Sequence, residues 1–165
     1  MAVHLVRHAD AGKRDGWQGP DEERPLTEAG RARAATLVQE LSRTAPIRIL
    51  SSPSIRCVET VQPLADALRL LVEPHPALAE GAPPDETWSL LEALVGDQDV
   101  VLCSHGDVIP PLLERLQRRG VPIQGGGRDV AKGSVWSIEA GPDGRLAKAR
   151  LESAPSDLRE VDQSR

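Results

Sequence analysis

The chain has 165 residues, 39% of them hydrophobic and 27% charged, which suits one domain with one adequate core. A formal net charge of -5 argues against a broad basic surface for a nucleic acid polymer or an anionic membrane. No apolar run is long enough to span a bilayer, Arg7-His8 interrupts any signal-peptide core, and two cysteines make no disulfide framework, so a cytoplasmic location is expected.

Ala2 to Val6 predicts a short buried strand that stops at a cation and an imidazole, Arg7 and His8. Ligands of open α/β sheets sit beyond the carboxyl ends of strands, so this pair is placed to meet an anion. Its plain alternative is a solvated surface pair. Residues 9–25 predict a polar loop, long enough to suggest a functional one. Thr27 reads as an N-cap with Glu28 in the first turn, and Ala34, Leu37, Val38 and Leu41 give an amphipathic helix over 27–43. Ile47 to Leu50 is a strand ending at Ser51-Ser52-Pro53. Arg56 then falls in the first turn of the next helix, where the helix dipole disfavours a cation unless an anion binds there. Pro63 should kink or break that helix.

Leu70 to Glu73 predicts a short strand, followed by a loop carrying Glu80 and a helix over about 85–95. Glu80 is either a surface carboxylate or a general acid. Asp99 to Ser104 is a nearly continuous apolar run, as expected of a strand buried on both faces. It ends at His105-Gly106-Asp107, and a helix to about Arg119 follows, with Pro110 and Pro111 in its first turn. Gly106 permits close backbone approach beside free helix N–H groups. Residues 120–133 are a Gly-rich loop. Ser134 to Ala140 and Leu146 to Leu151 form a hairpin around Pro142-Asp143-Gly144, and the residues from Ser153 are a polar tail. Residues 1–152 are therefore one expected domain, with a tail over 153–165.

Three strand ends thus carry Arg7 with His8, Arg56, and His105. In a parallel-type sheet they share one edge, where two guanidinium groups and two imidazoles suit a phosphate dianion. A metal site is the competitor. His4 and His8 lie about 13 Å apart along a strand and cannot share an ion, and no other histidine–carboxylate spacing is convincing. Cys57 and Cys103 lie in apolar runs and read as core.

In order, Leu5-Val6-Arg7-His8-Ala9, Arg24-Pro25-Leu26-Thr27-Glu28-Ala29-Gly30, Ser51-Ser52-Pro53 with Arg56 and Thr60, Leu78-Ala79-Glu80, and Ser104-His105-Gly106 resemble the histidine phosphatase superfamily. The short chain is similar to its compact phosphohistidine-phosphatase subgroup. Lys132-Gly133-Ser134 before Trp136 is similar to the domain attached to some Nudix hydrolases. The resemblance implies a phosphoglycerate mutase-like α/β fold: a three-layer α/β/α sandwich with a mostly parallel sheet and a C-terminal hairpin. It implies His8 as nucleophile, Arg7, Arg56 and His105 as phosphate ligands together with Gly106, and Glu80 as proton donor. No metal and no cofactor are implied. The expected activity is metal-independent hydrolysis of a phosphomonoester or phosphohistidine through a phosphohistidine intermediate. The expected partner is a phosphorylated small molecule or phosphohistidine protein, not a membrane. Alternatives are a non-catalytic phosphate-binding module, which a missing nucleophile would mark, and a nucleotide phosphatase. Sequence leaves the oligomeric state open.

Overall fold

The computed structural model describes residues 1–125 and 130–155. Its strands are β1 (Ala2–Arg7), β2 (Arg48–Ser51), β3 (Val72–Pro74), β4 (Val100–Ser104), β5 (Ile123–Gln124), β6 (Val135–Ala140) and β7 (Leu146–Ser153). Its α-helices are α1 (Glu28–Ser42), α2 (Ile55–Leu68), α3 (Pro84–Leu94) and α4 (Ile109–Arg118). The strands form one sheet in the order β3-β2-β4-β1-β6-β7-β5. The half from β3 to β1 is parallel. β6 runs antiparallel to β1, and β7 antiparallel to β6, which is the expected hairpin.

Period-2 alternation sorts the strand side chains between two faces. Val3, Leu5, Leu50, Leu102, Trp136 and Ile138 meet Trp88 and Leu91 of α3 and Ile109, Leu112 and Leu116 of α4. On the opposite face Val6, Ile49, Val101, Cys103 and Val135 meet Leu37 and Leu41 of α1 and Cys57, Val61 and Leu64 of α2. The result is the three-layer α/β/α sandwich. Each buried Leu, Ile or Val in these layers contributes roughly 1.5–3 kcal/mol. β4 is buried throughout, as its apolar run implied. Both cysteines are free and buried.

Thr27 caps α1 by accepting from the Gly30 amide at 3.1 Å, a contact worth about 1 kcal/mol. The same hydroxyl donates to the Asp10 carboxylate at 2.7 Å, which anchors the segment leaving His8 on the helix. A Cβ at Gly30 would fall 2.1 Å from the Asp10 carbonyl oxygen, so only glycine admits that approach. α2 passes through Pro63 without a break. The lost N–H bond is outweighed there by packing against the sheet and α1. β3 lies slightly later than expected, because it is an edge strand paired only with β2. The expected polar loop contains two short turns, Arg14–Gly16 and Asp21–Glu23. The Gly-rich loop contains β5, paired with β7. Part of that loop (126–129) and most of the expected tail (156–165) lie outside the described residues. Among the described residues, no helix is long and apolar enough to cross a membrane.

Candidate active site

β1 and β4 pair in register from Val3 opposite Val100 to Arg7 opposite Ser104. The next residue on each strand is a histidine, so the register itself brings His8 and His105 together. Their ring centroids are 5.4 Å apart, edge to face at 65°. His8 remains 6% exposed. Its Nδ1 lies 2.8 Å from the Ala9 carbonyl oxygen. A carbonyl only accepts, so Nδ1 carries the proton and the lone pair resides on Nε2. Burial lowers the His8 pKa to about 3, against the pull of the Ala9 hydrogen bond and with the electrostatic influence of His105, Arg56 and Arg7 adding to it. At neutral pH the imidazole is therefore neutral, with a free nitrogen lone pair.

Arg56 is 1% exposed although it opens α2. Its Nη1 donates to the Asp21 carbonyl at 2.8 Å, and its Nη2 lies 3.0 Å from Glu80 Oε2 and 3.5 Å from His105 Nδ1. His105 is held from behind, with Nε2 2.8 Å from Ser52 Oγ and 3.5 Å from Cys57 Sγ. Thr60 ties α2 to the segment leaving His8: its hydroxyl donates to the Arg56 carbonyl at 2.7 Å and accepts from the Ala9 amide at 3.0 Å. Arg7 donates to the Val130 carbonyl, and burial lowers its pKa while Asp107 opposes that shift. Gly106 gives the Arg7 guanidinium its space, because a Cβ there would lie 2.7 Å from Arg7 Cζ.

Two buried N–H groups of this cluster have no partner among the described residues: Arg7 Nε and Arg56 Nε. An unpaired buried donor on a cation is costly, and an oxyanion is a partner that satisfies such a group. Glu80 reaches the cluster from its loop, bridging Arg56 and Arg14, the latter at 2.7 Å, with its side chain 41% exposed. Sequence spacing had not revealed Arg14 or Asp21 at this site. Asp21 contacts Arg56, Arg24 and Arg14, and its one sequence signal was its place in an over-long loop three residues before Arg24. Asp10, two residues after His8, points elsewhere. It takes the Thr27 hydroxyl and lies 3.4 Å from Lys132, and these hold it below the usual carboxylate range despite partial burial. Asp107 accepts from the Gly81 amide at 2.8 Å. His4 stands apart, between Asp99 at 3.0 Å and Ser137 at 2.9 Å. Among the described residues, no group of three or more His, Cys, Asp or Glu side chains could hold a metal ion.

Residues 3–88 match the model of the histidine phosphatase superfamily (branch 1). The chain belongs to this superfamily. It is 35% identical over 161 residues to an 8-oxo-(d)GTP phosphatase of Mycolicibacterium smegmatis, matching 94% of this chain and 49% of that protein. It thus spans about half the length of that relative. Among solved structures, its fold is similar to that of the protein histidine phosphatase SixA complexed with tungstate, with a TM-score of 0.73 at 23% identity over 96% of this chain and 99% of the other. A mycobacterial glucosyl-3-phosphoglycerate phosphatase also shares the fold, with a TM-score of 0.65 at 18% identity over 92% and 96% of the two chains.

Proposed function

We propose that this chain is a metal-independent phosphatase that hydrolyses a phosphomonoester or phosphoamidate through a phosphohistidine on His8. The observation that carries this reading is the buried, neutral His8, with Nδ1 committed to the Ala9 carbonyl and Nε2 left as the nucleophile. In the first step the Nε2 lone pair forms a bond to phosphorus. The bond to the leaving group breaks, its electron pair departs with the leaving group, and Glu80 supplies a proton. In the second step water attacks phosphorus and gives its proton to Glu80. The P–N bond returns its pair to Nε2 and inorganic phosphate leaves. Arg7, Arg56 and His105 hold the phosphoryl oxygens throughout, and the Gly106 backbone lets Arg7 approach. Phosphoryl transfer depends mainly on such in-line placement and charge stabilisation, and covalent capture divides one hard step into two. A module that only bound phosphate would have no need of a desolvated imidazole with its tautomer set.

Rapid quenching with labelled p-nitrophenyl phosphate in EDTA should trap an acid-labile, base-stable adduct that is absent in His8→Ala. Full turnover by His8→Ala, or activity that disappears in EDTA and returns with a divalent ion, would end this reading.

For the substrate, the relative named as an 8-oxo-(d)GTP phosphatase favours a phosphorylated nucleotide, and the fold shared with SixA favours a phosphohistidine protein. Comparing kcat/KM for a nucleoside di- or triphosphate with that for a phosphohistidine peptide separates the two.

A further inference from the structure

Asp21 has no role in the scheme above, yet its contacts are specific. Its Oδ2 lies 3.1 Å from Arg56 Nη2, and its own backbone carbonyl accepts from Arg56 Nη1 at 2.8 Å. One residue therefore grips both outer nitrogens of Arg56. Its Oδ1 accepts from Arg24 Nε at 3.1 Å. Arg24 in turn donates through Nη1 to the carbonyls of Ala11 at 2.8 Å and Gly12 at 2.9 Å, on the segment leaving His8. The grip on Arg56 is thus anchored to the chain that carries the nucleophile, although β1 and α2 are far apart in sequence.

We propose that Asp21 is a positioning residue that sets the orientation of the Arg56 guanidinium. A planar fork held at Nη1 and Nη2 cannot rotate on its long side chain. The nitrogen left over is Nε, a buried donor without a partner among the described residues. Asp21 keeps that N–H turned towards the phosphoryl group before charge develops there. Electrostatic stabilisation acts in the transition state only when donors are set in advance. Without the Asp21 carboxylate Arg56 keeps its charge, its Nη1 bond to the residue-21 carbonyl and its Nη2 contact with Glu80, and still attracts phosphate, but it loses the carboxylate that Arg24 ties to the segment leaving His8, so its donors are held less rigidly. The loss falls on kcat more than on KM.

This inference rests on the proposed role of Arg56 as a phosphate ligand, and the test keeps the two apart. Steady-state kcat and KM for p-nitrophenyl phosphate are measured, with thermal melting, for wild type, Asp21→Ala, Asp21→Asn, Arg56→Ala and the two Asp21 substitutions in the Arg56→Ala background. Misplacing a reacting group by about 1 Å costs on the order of 100-fold. Asp21→Ala is expected to lower kcat by about that factor with KM changed less than about threefold. Asp21→Asn, which keeps an acceptor oxygen and the side-chain shape, should lose less, and it carries the comparison if the alanine variant does not fold. In the Arg56→Ala background the effect should vanish, because no guanidinium remains to be oriented. An unchanged kcat in both Asp21 variants overturns the inference. So does an equal loss with and without Arg56, which would mean general support of the loop, or a lower KM at undiminished kcat, which would mean simple charge neutralisation. Full activity of Arg56→Ala would instead refute the phosphate site itself.

Discussion

Replacing Gly106 with alanine isolates the placement of Arg7 from its charge. The backbone at Gly106 is not in the left-handed region, so alanine can adopt it. The new Cβ would lie 2.7 Å from Arg7 Cζ, 2.8 Å from Nη2 and 3.0 Å from Nε, whereas ordinary contact begins at 3.4 Å. The guanidinium has to withdraw, and its bond to the Val130 carbonyl limits the directions open to it. A shift approaching 1 Å in a charge-stabilising group costs on the order of 100-fold, or about 2.7 kcal/mol of transition-state stabilisation. Arg7 remains charged and nearby, so KM should move much less than kcat. Steady-state kinetics with p-nitrophenyl phosphate, alongside a thermal melt, provide the assay. Wild-type kcat in Gly106→Ala would refute the argument. So would a kcat loss accompanied by a large fall in melting temperature, which would mean that the methyl group disrupts the fold instead of the guanidinium.

Gly30→Ala should behave in the opposite way. Its Cβ would meet a backbone oxygen that cannot swing aside, so chemical denaturation should show a loss of roughly 1–3 kcal/mol, and an unaltered stability would show that the contact relaxes freely. His8 should stay neutral from about pH 8 to pH 5 in an NMR titration of its ring, since its pKa is lowered to about 3; a midpoint near 6.5 would contradict the desolvated site. The unfolded chain takes that proton first, so the associated stability is complete above pH 6.5 and is lost as pH falls through 6.5 towards 3. Glu80→Gln should slow single-turnover phosphorylation about a hundredfold or more with an alkyl phosphate and barely at all with p-nitrophenyl phosphate, whose leaving group needs no proton. Equal, small effects on both substrates would leave Glu80 as a loop carboxylate paired with Arg14.

The strand ends were legible because two local signals coincide there. In β4 a continuous apolar run meets His105, and in β1 one meets Arg7-His8, so a buried strand and a polar terminus are visible without any tertiary information. Arg56 was legible for a different reason, as a cation where the helix dipole is unfavourable. Asp21 was not, because its grip on Arg56 joins a loop to a helix far along the chain, and no periodicity encodes that contact. The ion pair of Arg14 with Glu80 was hidden in the same way. The only pattern His4 offers in the sequence is its four-residue spacing from His8. Its partners, Ser137 and Asp99, follow from the pairing of β1 with β6 and from the connection into β4, which single-strand patterns do not specify. Pro63 does not break α2, because the helix is held by packing against the sheet and α1, which local propensity does not register.

The two halves of the sheet contribute differently to the site. The parallel half brings the ionisable side chains, because its strands all end at one edge and each runs into a loop or helix start there. The antiparallel hairpin brings no candidate catalytic side chain. Its approach supplies backbone instead: the Ser134 carbonyl accepts from the Arg7 amide at 3.1 Å, and the Gly133 amide donates to the Arg7 and His8 carbonyls at 3.0 and 3.1 Å. Those bonds hold the main chain at the point where β1 turns from strand to site, and the Val130 carbonyl takes the Arg7 guanidinium itself. On the other side of β1 the His8 amide donates to the Ser104 carbonyl at 3.0 Å. The backbone of His8, the proposed nucleophile, is therefore held from both neighbouring strands, while its side chain lies near the two guanidinium groups. A group that must attack in line tolerates little displacement, and holding the peptide from both sides leaves the imidazole only its own torsions to vary.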